Sequence, residues 1–230
     1  MKICIQICAE EEWKSTKSIL KIKRSGLRQQ PFGEYFVRGS GRDEWVFFHS
    51  GATKTRAAGA CQYAIDRWKP NVIVNLGTCG AVAKDIKLLD IILANKAFQY
   101  DVIQRFGKPS RRFERSLKTI LPILWIDQNR VLERLKIGTI ASADQDLCPK
   151  VRKMLQERNV LAADWESASI ARICELNKIK CLILRGVSDI PYKTEGSKAA
   201  VQERDYKRNT RNIMRDLFLM MRQIRFRRKV

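Results

Sequence analysis

A chain of 230 residues, 45% apolar and 30% charged, is long enough to bury one sizeable core and too apolar to be intrinsically disordered. Its 45 Lys and Arg against 24 Asp and Glu leave a formal charge of +21, so any partner reached through its surface is more readily an anion than a cation. The longest stretch without a charge, Pro70 to Ala83, is too short to span a bilayer and contains glycines, so no membrane span is expected.

In chain order, Lys2 to Cys8 alternates as a first strand and Glu11 to Ile22 suits a helix after it. Glu34 to Gly39 and Glu44 to His49 have the period-two pattern of an antiparallel pair. Thr53 to Trp68, rich in Ala and Gly, predicts a closely packed helix stopped by Pro70. Val72 to Leu76 is an apolar run typical of a buried parallel strand, and Gly77-Thr78-Cys79-Gly80 predicts a tight loop after it. Two further strands are predicted at Leu88 to Ala94 and Ile137 to Ala141. Asp164 suits the N-cap of a helix running from Trp165 to Asn177. Cys181 to Val187 forms a strand leading into Ser188-Asp189, and a final helix covers about 204–225. With no repeat or linker, the prediction is a single α/β domain over 1–230, followed from 225 to 230 by a basic tail.

Seven scattered cysteines, mostly in apolar runs, read as reduced core residues of a cytoplasmic protein, and the first residues lack the pattern of a secretory leader. The single histidine, His49, and the absence of a CxxC pair argue against a metal site or a histidine-based triad. His49 is read as a packing or subunit-contact residue, and Lys54 as a surface charge.

The remaining chemistry is acidic. Glu10-Glu11-Glu12, Asp164-Trp165-Glu166 and Asp189 lie beyond predicted strands or at helix starts, where α/β proteins gather their sites. Each acid also has a plain reading, as a helix cap or a partner of the macrodipole. Together they match glycosyl chemistry, which needs one group to move a proton at the leaving group, another to activate water, and others to hold sugar hydroxyls. Gly77 to Gly80 is also compatible with a nest of backbone N–H groups close to a ligand, but it matches neither dinucleotide nor phosphate-loop motifs.

Four segments, Lys2 to Glu12 (KICIQICAEEE), Asn71 to Ala81 (NVIVNLGTCGA), Ala163 to Ala171 (ADWESASIA) and Leu184 to Asp189 (LRGVSD), give the chain a resemblance to the nucleoside phosphorylase and hydrolase superfamily. It most resembles the 5'-methylthioadenosine/S-adenosylhomocysteine nucleosidase branch. The resemblance implies a mixed, partly barrel-like β-sheet flanked by helices, a homodimer, a nucleoside substrate and no cofactor. It implies that Glu12 activates water and Asp189 protonates the purine base. It also assigns substrate binding to Thr78, Cys79, Gly80, Leu147, Asp164, Trp165, Glu166, Arg185 and Ser188, with Glu166 on the ribose hydroxyls. The chain departs from the family at Asp146, where relatives carry an aromatic that stacks on the base, and at Trp165, where they carry methionine.

Asn75 occupies the place where phosphorylases put an arginine, and three glutamates at the mouth would repel phosphate, so water is the preferred nucleophile. The alternatives are a phosphate-dependent purine nucleoside phosphorylase and a catalytically weak protein that binds nucleosides or polyanions. Basic clusters at 14–28, 105–118 and the C-terminus suit a polyanion, but no RNA- or DNA-binding motif or aromatic platform accompanies them. A solvated basic surface is therefore preferred to nucleic-acid binding.

Overall fold

The structure is a computed structural model that describes residues 1–41, 43–127, 132–190 and 203–227. The end of the predicted basic tail, residues 228–230, lies outside the described residues.

Strand β1 (Lys2–Ile7) enters helix α1 (Glu10–Ile19), and β2 (Arg28–Gln30), β3 (Gly33–Ser40) and β4 (Asp43–His49) follow as an antiparallel meander. Helix α2 (Lys54–Trp68) ends at Lys69, whose left-handed backbone precedes Pro70. Then come β5 (Val72–Ala81), β6 (Ile91–Gln99), α3 (Arg111–Ser116), β7 (Lys118–Ile120), β8 (Lys136–Ser142) and α4 (Pro149–Gln156). The chain closes with β9 (Val160–Asp164), α5 (Ser167–Leu176), β10 (Lys180–Asp189) and α6 (Glu203–Gln223).

Five strands close on themselves, with β5 paired to β10, β10 to β6, β6 to β8, β8 to β9 and β9 back to β5. From β5 the sheet continues outward through β1, β4, β3 and β2. The mixed, partly barrel-like sheet flanked by helices is thus present. Closure leaves those five strands without open edges.

Alternation along the strands sorts side chains between two main cores. In β1, Ile3, Ile5 and Ile7 face a core shared with α1 and α6, while Cys4 packs with Ala57, Ala60 and Cys61 of α2 on the other side. The small residues of α2 serve the close packing that their pattern predicted, here against α5 as well as the sheet. No helix among the described residues is long and apolar enough to cross a membrane.

Three local expectations are corrected. Gly77 to Gly80 is not a loop: β5 runs through it, paired residue by residue with β10 and then with β9. The strand expected at Leu88 begins only at Ile91, because Leu88 and Leu89 are exposed and Leu89 turns the chain with φ 69°. Helix α5 starts at Ser167 rather than Trp165 and its N-cap is Glu166, not Asp164; Asp164 ends β9, two residues earlier, and reaches forward so that its Oδ1 accepts the Ser167 amide at 3.1 Å. The short strands β2, β7 and β9 and helices α3 and α4 were not anticipated, because their hydrophobic patterns are too brief to carry a period.

Candidate active site

The carboxyl ends of β1, β5, β9 and β10 meet at one end of the sheet, and each delivers a predicted residue. Strand β10 carries Arg185, whose side chain is only 1% exposed. Its Nε lies 2.8 Å from Asp164 Oδ2, its Nη2 3.1 Å from Glu166 Oε2 and its Nη1 3.7 Å from Glu12 Oε1. Three carboxylates, from β9, from the start of α5 and from α1, thus converge on one buried guanidinium. Removing these charges from water is costly, and mutual pairing offsets that cost.

Glu12 is also 1% exposed and is held at both ends. Its Oε2 accepts the Ala9 amide at 3.0 Å, and its Oε1 accepts the Thr78 amide at 2.6 Å and the Thr78 hydroxyl at 2.9 Å. Ahead of it, His49 stacks on Trp13 at 5.6 Å and donates from Nε2 to Cys8 O at 3.0 Å. Burial holds the His49 ring below its ordinary pKa. These contacts pack the ring against α1 and tie it to the residue that follows β1.

Gly77 makes the convergence possible. A Cβ at this position would lie 2.2 Å from Arg185 Nη1 and 2.6 Å from Glu12 Oε1. The space beside this glycine is therefore filled by the protein's own charged groups rather than by a ligand.

Asp164 accepts from the Ser142 hydroxyl at 2.5 Å, from the Ser167 hydroxyl, and from the amides of Glu166 and Ser167. With one guanidinium for three carboxylates, the cluster carries an excess of negative charge. Burial raises Glu166 to about 8, Arg185 opposes the rise, and Asp164 and Glu12 add to it. The balance of burial and like charge over the single guanidinium thus favours the protonated form of Glu166. Thr53, just before α2, also hydrogen-bonds to Glu166 through its backbone. It does so from φ 87°, a conformation a β-branched residue rarely adopts.

Asp189 ends β10. Its Oδ1 accepts the Ser188 hydroxyl at 2.6 Å, while Asn209 of α6 donates to Ser188 O at 3.0 Å. Burial raises the Asp189 pKa, the Ser188 bond opposes that, and the charge of Asp146 reinforces it.

These groups border a cavity of about 360 Å³. Of the residues singled out from the sequence, Thr78, Cys79, Gly80, Leu147, Asp164, Trp165, Glu166, Ser188 and Asp189 line it. Glu12 sits behind Thr78. Arg185, expected to touch substrate, is not among the lining residues: it lies beneath the cavity and positions the carboxylates that are. Sequence reasoning missed Tyr100, at the end of β6, and Tyr206, in the first turn of α6, which both line the cavity. Burial pushes Tyr206 up to about 12, and the charge of Glu12 reinforces the rise. Neither tyrosine belongs to a motif; the only available signal was a position just past an apolar strand for Tyr100. Lys54 is also corrected: its ammonium is paired with Asp101 and largely buried, and its amide donates to Asp144 Oδ1 at 2.7 Å.

Fold and site define an α/β protein with a small, carboxylate-lined cavity at the carboxyl ends of its strands, suited to a polyhydroxylated organic ligand. The family profile described as the Phosphorylase superfamily matches residues 21–218, and the chain belongs to that superfamily. Among characterised relatives, the 5'-methylthioadenosine/S-adenosylhomocysteine nucleosidase of Tolumonas auensis is 26% identical over 175 residues, covering 67% of this chain and 73% of its own. The aminodeoxyfutalosine nucleosidase of Campylobacter jejuni is 24% identical over 196 residues, covering 81% and 84%. The crystal structure of Campylobacter jejuni 5'-methylthioadenosine/S-adenosylhomocysteine nucleosidase superposes with a TM-score of 0.78 at 24% identity, covering 97% of this chain and 99% of that one.

Proposed function

We propose that the protein is a nucleosidase that hydrolyses the N-glycosidic bond of a purine nucleoside, with 5'-methylthioadenosine and S-adenosylhomocysteine as the first candidates. The observation that carries this reading is the charge of the cavity wall. Asp146, Asp164, Glu166 and Asp189 line it, and no Lys or Arg does so among the described residues. Phosphate binding calls for cationic or dense N–H donors, whereas neutral water and a neutral nucleoside enter such a site without repulsion. The names of the relatives support the same activity.

In this reading Glu12, fixed by the Ala9 and Thr78 amides, takes a proton from water as the water oxygen attacks C1' of the ribose. As the C1'–N9 bond breaks, its electron pair passes to the purine, and Asp189 delivers a proton to N7 of the leaving base. Burial, reinforced by the charge of Asp146, raises Asp189 above its ordinary value, the direction this role requires. Glu166 hydrogen-bonds the ribose hydroxyls, with Arg185 behind it to set its position. The products are a free base and a 5-substituted ribose. Trp165, 36% exposed on the cavity wall, is placed to offer the aromatic surface that Asp146 does not.

The protein is expected in the cytoplasm, a reading that its seven cysteines, all thiols, support. A homodimer is the assembly expected, and the exposed apolar side chains of Val102, Ile103 and Phe106, close in sequence to Tyr100, support burial against a second copy. Light scattering on the purified chain tests it.

Chromatography of reactions with methylthioadenosine, adenosylhomocysteine, deoxyadenosine and inosine, with and without phosphate, tests the activity. Phosphate-independent release of base is expected; formation of ribose 1-phosphate products would reverse the assignment. Glu12→Gln and Asp189→Asn are each expected to lose about 100-fold or more in turnover while remaining folded, and near-normal rates would remove the assigned roles.

A further inference from the structure

The largest cavity described lies away from the site above. It holds about 540 Å³ and is bordered by the start of β1, the end of β3, the start of β4 and the end of α6. Because β1 runs from this cavity to the catalytic cluster, the two are separated by about 20 Å, the rise of some six strand residues.

Its chemistry has two parts. Ile3, Phe47 and Phe218 are buried members of the core shared with α6, and they supply an apolar floor. Arg38, Arg222 and Arg225 stand on its wall, and none of the three pairs with a carboxylate among the described residues. Arg38 Nη2 donates to Leu20 O at 2.6 Å and Arg225 Nη1 to Arg222 O at 3.0 Å, so two of the guanidinium groups are tethered through one nitrogen and keep other N–H donors free for a ligand. The single acidic lining residue described, Asp43, is already neutralised by the Met1 ammonium at 2.6 Å. Trp45 also lines the cavity, and its indole N–H is buried without an acceptor among the described residues. Such a donor is costly to leave unpaired.

We propose that this cavity binds a small amphipathic anion, a free carboxylate carried on an apolar body, with the body on the Phe47 and Phe218 floor and the carboxylate among the arginines. The charge balance excludes a cationic ligand, and the apolar floor disfavours a small hydrophilic anion such as phosphate alone. Binding here is independent of nucleoside hydrolysis, because no residue of this cavity belongs to the catalytic cluster.

Isothermal titration of the full chain with decanoate, decanol and decyltrimethylammonium tests the proposal. Saturable binding of one decanoate per chain is expected, with the neutral and cationic analogues weaker by about tenfold or more, the worth of one charge-assisted contact. Arg38→Ala combined with Arg222→Ala is expected to weaken decanoate by about tenfold or more with methylthioadenosine hydrolysis unchanged. A Cβ at Gly39, which lines the cavity, meets open space, so Gly39→Phe offers a second variant that narrows the cavity without touching a charge. It too is expected to weaken binding. Non-saturating heats, equal affinity for the cationic analogue, or unchanged affinity in both variants would overturn the proposal.

Discussion

Arg185 and Glu12 meet across Gly77, with Nη1 3.7 Å from Oε1 and both side chains sealed from solvent. Strand β5 passes between the elements that carry them, so the contact exists only because β5 has no side chain at that point. The same guanidinium reaches Asp164 and Glu166, and the cluster's geometry, charge and proton content are therefore coupled.

Gly77→Ala is predicted to destabilise the fold by about 1–3 kcal/mol, the cost of overpacking a filled interior. Hydrolysis should fall by more than the loss of folded protein explains, because Glu12 has to move. Urea unfolding alongside initial rates on the folded fraction checks both; an alanine variant with native rates would show that the close approach is not needed.

Arg185→Met leaves the buried acids Glu12, Asp164 and Glu166 without their counter-charge. A loss of about 3–5 kcal/mol at neutral pH is expected. The defect should shrink as pH falls, since protonation then neutralises the acids that the arginine no longer compensates. Denaturant melts of variant and parent between pH 5 and 8 measure it, and a defect independent of pH would argue against a charge origin.

Glu166 is raised from an ordinary value of 4.5 to about 8. The native state then keeps a proton that the unfolded chain has released, so stability is lost as pH rises through that window, at up to about 1.4 kcal/mol per unit for one proton. Glu166→Gln has no such proton to hold. Its stability relative to the parent should increase from pH 4.5 to 8 and level off above, while hydrolysis is impaired throughout. A pH-independent difference in unfolding free energy would contradict the raised value.

Asp146 raises Asp189 through charge repulsion. Asp146→Asn removes that contribution, so Asp189 should lose its proton at lower pH and the alkaline limb of kcat/KM should move toward acid. The acidic limb should stay in place. A pH–rate profile with methylthioadenosine separates this from simple loss of binding, which would lower the whole curve without shifting it.

Thr53→Gly relieves the φ of 87° at the start of α2 and is predicted to raise stability by about 1 kcal/mol. Thermal denaturation with and without a nucleoside analogue reads the effect.

Much of the fold was legible in the sequence because its signals are local. The β1 and β4 alternations, the apolar run of β10 and the apolar spacing of α6 each lie within one stretch of chain, and their structural elements match closely. Gly77 to Gly80 misled because two glycines read alone suggest a turn, whereas flanking strands from residues more than 80 positions away hold them extended. Arg185 was recognised as part of the site but assigned to substrate, since its burial depends on β9, α1 and α5 closing over it. Tyr100 and Tyr206 carried no distinguishing pattern at all; α6 and the end of β6 bring them to the wall.

By itself, then, the amino-acid order determined the α/β alternation and the set of acids available for glycosyl chemistry, both properties of neighbours along the chain. Only the tertiary structure decided that one guanidinium sits under three of those acids, that Glu166 is pushed above the usual carboxylate range, and that a second, cationic cavity opens at the far end of β1. Burial and electrostatic coupling depend on distances between remote segments, and those distances exist only once the sheet has closed.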